Sequence, residues 1–112
     1  MKFADIIKIL HCEIVAQGRD FENLTIKNAV VSDMMSEVLT TDKEEIILIT
    51  QLSSTQVVRT TDSVGGVGVI IANGTPVQSG MKELAETLGI TVLRTMTPSF
   101  ETCVTIGKLL EK

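Results

Sequence analysis

The sequence predicts a three-layer α/β domain, a mainly parallel sheet with helices on its faces, and three observations carry that expectation. Short β-leaning runs alternate with amphipathic stretches of about ten residues. Two of those runs, Ile46-Ile47-Leu48-Ile49 and Val67 to Ala72, are apolar without alternation, as expected for interior strands covered on both sides. The third is composition: 44% of residues are hydrophobic but only three are aromatic, all Phe, so the core must be Ile, Val, Leu and Met in layers.

The first element is a short helix, because Phe3, Ile6, Ile7 and Leu10 recur at i, i+3, i+4 and i+7, with Asp5 placed to suit the helix dipole. Glu13 to Ala16 is a brief strand, followed by a turn at Gln17-Gly18-Arg19-Asp20. The stretch Lys27 to Val31 is a second strand; Ser32-Asp33 forms a polar junction, and Met34, Met35, Val38 and Leu39 then fall at helical spacing. Glu45 to Thr50 is the third strand, after which Ser53-Ser54-Thr55 offers an N-cap for a helix from Gln56 to Thr61. Val67 to Ala72 is the fourth strand, ended by Asn73-Gly74-Thr75-Pro76, and Ser79 can cap a helix from Gly80 to Leu88 that stops at Gly89. Thr91 to Arg94 is the last strand, and Pro98-Ser99 open the final helix. Parallel neighbours need a crossover, and the pattern predicts a helical one each time. At 112 residues, without linker or repeat, the chain is read as a single domain spanning 1-112.

Composition narrows the function. The net charge of −4, with ten basic residues scattered along the chain, argues against nucleic acid as a partner. The start MKFADIIKIL is too short and too charged for a secretory signal, and no apolar run approaches a membrane span; a reducing cytoplasm is the expected setting. Cys12 and Cys103 are far apart, and with His11 they fall one ligand short of a structural zinc site, so no metal or cofactor is expected. The lone histidine and the lack of a nucleophile elbow leave no catalytic set. Asp33 and Asp62 could act as an acid and base pair only if the fold brought them together. Arg59 and Arg94 suit either surface ion pairs or anion contacts.

Ligands of parallel sheets usually bind at the strands' carboxyl ends, beside the N-termini of the following helices. That edge should hold Ser32 and Asp33, Thr50 and Gln51 with Ser53 to Thr55, Asn73 to Thr75, and Thr95, Thr97 and Ser99. Two readings are open: helix caps and turn formers, or a pocket for a polar or anionic ligand. The residues assigned to such a pocket are Ser32, Asp33, Thr50, Asn73, Gly74 and Thr95. Gly65-Gly66-Val67-Gly68 is not a phosphate cradle, because it follows a helix and precedes a strand.

The order Val30 to Leu39, then Ile47-Leu48-Ile49-Thr50, then Val69 to Gly74 resembles the DRTGG domain family, and so does the tail from Leu84 to Leu93 with Thr97-Pro98-Ser99-Phe100. The resemblance covers nearly the whole chain. It implies a fold like the N-terminal domain of HPr kinase/phosphorylase, a non-catalytic regulatory role and a homodimer; with the polar strand-end rim, the expected ligand is a nucleotide or other small anion. DRTGG domains also stand alone near iron-only hydrogenases, so the resemblance further implies a possible accessory, assembly or iron–sulfur role with a hydrogenase-system protein as partner. The name-giving residues differ: Gln51-Leu52-Ser53-Ser54 stands where Asp-Arg is expected, and Ala72-Asn73-Gly74-Thr75 replaces the Thr-Gly-Gly turn. Ser32-Asp33 is the best kept of the polar junctions.

Overall fold

The structure is a computed structural model that describes residues 1–111. The chain runs α1 (Phe3–Leu10), β1 (Glu13–Ala16), β2 (Asn28–Val31), α2 (Met35–Val38), β3 (Ile46–Thr50), α3 (Thr55–Ser63), β4 (Gly68–Ile71), α4 (Met81–Leu88), β5 (Thr91–Arg94) and α5 (Ser99–Leu110). The five strands form one sheet in the order β1-β5-β4-β3-β2. Strands β2 to β5 are parallel and β1 pairs antiparallel with β5, so the mainly parallel, three-layer expectation holds.

The runs expected to be apolar on both sides are so because successive side chains feed two cores. Leu48, Val69, Ile71 and Val92 pack with Met35, Val38, Val57, Val58, Met81 and Ala85 of α2, α3 and α4. Ile47, Ile49, Ile70 and Leu93 point the other way and meet Phe3, Ile6 and Leu10 of α1 and Ile106 of α5. Three helices on one face and two on the other follow from connectivity: β2 to β5 are laid down in one direction, and crossovers of uniform hand put every intervening helix on the same face.

Two sequence expectations need correction. The β1–β2 connection is not helical: residues 17–27 contain no helix or strand, and β1 and β2 are opposite edges of the sheet. Because β1 runs against the others, it ends at their amino ends, and the chain must travel along that edge to start β2. Ser79 does not cap α4; the N-cap is Gly80 at φ 86°, a left-handed position that suits a residue without a side chain.

Candidate functional site

The parallel strands deliver the predicted polar residues to one edge, where most of them bond to each other. Asp33 is the hub. Its Oδ1 accepts from Thr50 Oγ1 and from the Gln51 backbone N–H, both at 2.7 Å, and its Oδ2 accepts from Gln51 Nε2 at 3.3 Å. Gln51 Oε1 in turn accepts from Asn73 Nδ2. Asn73 Oδ1 accepts from the backbone N–H of Ser99, the first residue of α5, at 3.1 Å. One strip of side chains, Asp33–Gln51–Asn73, thus links the ends of β2, β3 and β4 to the start of α5, and its three members are exposed.

Other predicted site residues have structural tasks. Ser32 Oγ accepts from Met34 N at 2.9 Å, a local turn bond of the kind serine makes before a helix. Thr95 is 1% exposed; its hydroxyl bonds the carbonyl of Leu10 at 2.8 Å and accepts from Thr97 N at 3.1 Å, tying the end of β5 to the end of α1. Gly74 donates to the Thr95 carbonyl at 2.8 Å and has φ 64°; a Cβ there would meet Met96 Sδ at 2.6 Å. Thr50, 3% exposed, is the buried anchor of the Asp33 hub. Ser53 is buried as well and donates to the Pro76 carbonyl at 2.6 Å, joining two loops.

The structure resolves the open alternatives for Arg94 and for the Asp33–Asp62 pair. Arg94 is a structural clamp: Nε and Nη2 donate to the carbonyls of Thr75 (2.9 Å) and Gly74 (2.6 Å), and Nη1 meets Glu13 Oε1 at 3.2 Å. Asp33 follows β2 and Asp62 lies in the last turn of α3, which starts at the carboxyl edge and runs back toward the amino edge, so they cannot act as a pair. Large apolar residues adjoin the strip: Met34 follows Asp33, Met96 lies against Gly74, and Phe100 follows Ser99, and they are exposed by 61%, 73% and 76% respectively.

Cys12 and Cys103 both pack against the α1–α5 core, and burial pushes both thiols up, Cys12 to about 11. Among the described residues no three His, Cys, Asp or Glu side chains come together as a metal-binding group. No helix among them is long and apolar enough to cross a membrane.

Sequence reasoning did not assign Gln51 to the pocket, although it is the link between Asp33 and Asn73; its place directly after a buried strand was the available signal. Nor did it find a cavity of about 280 Å³ at the opposite, amino edge of the sheet, lined by Arg19, Asp20, Glu45 and Asp62 among others. At the carboxyl edge β2 to β5 follow one another without reversing order, so the strand order makes no switch point there.

No family profile matches the chain, and no curated protein does. Among solved structures, the fold is similar to the CBS and DRTGG domains of the regulatory region of Clostridium perfringens pyrophosphatase, complexed with the activator diadenosine tetraphosphate. The TM-score is 0.77 at 22% identity, over 94% of this chain and 45% of that one. This chain therefore spans less than half the length of that neighbour, and the likeness is one of fold. It agrees with the DRTGG-like architecture that the sequence resemblance implied.

Proposed function

We propose that the chain is a non-catalytic regulatory module of the ligand-sensing kind, and that its ligand is a nucleotide met through the base at the strand carboxyl ends. The observation that carries this reading is the exposed Asp33–Gln51–Asn73 strip beside Phe100 and Met96. Gln51 and Asn73 each spend one amide hydrogen within the strip and keep a second, and Asp33 keeps acceptor capacity. Amide groups pair with the donor and acceptor edge of a base, and an exposed ring stacks on its face. Thr50, Gly74, Ser32 and Thr95 support the contact by holding its backbone. Phosphates would stay in solvent, because Arg94 is engaged by carbonyls and Glu13. The nucleotide activator bound by the structural neighbour supports this ligand class.

Thermal denaturation with adenosine, AMP, diadenosine tetraphosphate and inorganic phosphate tests the proposal. The base-bearing compounds should raise Tm saturably and phosphate should not. The shift should disappear in Gln51→Ala and Phe100→Ala, both at exposed positions. Absence of stabilisation by every nucleotide, or equal stabilisation by phosphate alone, would overturn it.

Self-association belongs to the same proposal, and the exposure of Met34, Leu39, Met96 and Phe100 favours it. A second copy seated on this edge would cover them and couple assembly to ligand. Light scattering should give a dimer that Phe100→Ser weakens; a monomer at all concentrations would refute this part.

A further inference from the structure

The structure assigns a second small-molecule site, independent of the carboxyl-edge strip: the amino-edge cavity, suited to a basic amino acid whose carboxylate meets Arg19 and whose ammonium groups meet Asp20, Glu45 and Asp62.

The cavity is a product of the topology. The segment 17–27 passes along the strand amino ends, and its start is clamped to β5. Gly18 N donates to Thr91 Oγ1 at 2.9 Å, and Arg19 N donates to the Gly89 carbonyl at 2.9 Å. Gly18 lies so close that a Cβ would stand 2.5 Å from the Gly89 oxygen. The guanidinium of Arg19 rests over Gly89, where a Cβ would come within 3.1 Å of Nη2. Glycine at 89 therefore makes room for the cation. The last turn of α3 brings Asp62 to the lining, and Glu45 joins it from the residue before β3.

Two features mark this as a place for a ligand. The cavity, about 280 Å³, lies just below the usual range for ligand pockets of drug-sized molecules, which fits a smaller molecule of amino-acid size. Its charged residues are exposed and are not paired with one another: the ion pair found among the described residues is Arg94–Glu13, so Arg19 is within 4.0 Å of none of the carboxylates that share its cavity. One guanidinium against three carboxylates gives a net negative site with a single anion contact. That pattern complements a molecule with one carboxylate and two ammonium groups, such as lysine, and repels an acidic amino acid. The backbone is set for this arrangement, with Asp20 at φ 54°, Glu45 at φ 51° and Gly89 at φ 74° all lining the cavity.

Calorimetric titration of the full chain with L-lysine, cadaverine (lysine without its carboxyl group) and L-glutamate, at matched ionic strength, tests the assignment. Lysine should bind saturably and more tightly than cadaverine, and glutamate should not bind. Arg19→Gln should weaken lysine by about tenfold, the worth of one charge-assisted contact, and bring it level with cadaverine. Asp62→Asn, at an exposed helix-end position, should weaken both and covers the case in which the Arg19 variant folds poorly. Gln51→Ala should change nothing, which separates this site from the nucleotide reading. Lysine binding no better than matched salt, or a lysine preference that survives Arg19→Gln, would overturn it.

Discussion

Thr50 Oγ1 donates to Asp33 Oδ1 at 2.7 Å, and the same oxygen also receives the Gln51 N–H, so one carboxylate closes the ends of two neighbouring strands. The carboxyl edge is thereby held rigid by its own side chains before any ligand arrives. Asp33→Ala should leave the Gln51 N–H and the buried Thr50 hydroxyl without these partners. A loss of about 2 kcal/mol in urea unfolding is expected, larger than that of Asp33→Asn, which keeps an acceptor oxygen.

Thr95 is the second structural tie. Thr95→Val keeps its shape but deprives the Leu10 carbonyl and the Thr97 N–H of their hydroxyl partner. Stability should fall by about 2 kcal/mol while nucleotide stabilisation per mole of folded protein is unchanged. A change in ligand affinity without a change in stability would show that Thr95 contacts ligand directly.

Two glycines should respond with opposite sign. Gly18→Ala places a Cβ 2.5 Å from backbone atoms of Gly89 and Thr91, which cannot move aside as a flexible side chain would; a cost of about 3 kcal/mol is expected. Gly107 sits inside α5 with nothing within 4 Å of a built Cβ, so Gly107→Ala should stabilise by about 1 kcal/mol through helix propensity. Chemical denaturation of the two variants side by side is the measurement.

Burial raises the Cys12 thiol from 9.0 to about 11. In the unfolded chain this thiol ionises first, so its contribution to stability is complete below pH 9 and is lost as pH rises toward 11. Alkylation at pH 8 should accordingly be slow in the folded protein and speed up in denaturant. Cys12→Ala should remove part of the stability decline between pH 9 and 11. Equal alkylation rates in the folded and unfolded chain would contradict the burial of this thiol.

The sequence by itself determined the alternation of strands and helices, the layer count and which residues reach the carboxyl edge. Those features are local: strand runs such as Ile46 to Ile49 and helix stripes such as Phe3, Ile6 and Leu10 are written in periodicity, and strands joined by helical crossovers have few ways to be arranged. The same local reading placed Asp33, Thr50, Asn73 and Thr95 at strand ends. It did not say that Thr95 turns inward or that Gln51 links Asp33 to Asn73, because hydrogen-bond partners across strands depend on register.

Only the tertiary structure decided where Glu13–Ala16 pairs. Four residues of weak alternation carry no information about their partner; in the fold they run antiparallel beside β5 with Ala16 buried in the core on the α4 side. That single choice sends residues 17–27 along the amino edge, where Arg19 and Asp20 of the expected turn line a cavity. The physical reason is the range of the forces involved: propensity and periodicity act within an element, whereas strand partners and cavities arise from long-range packing.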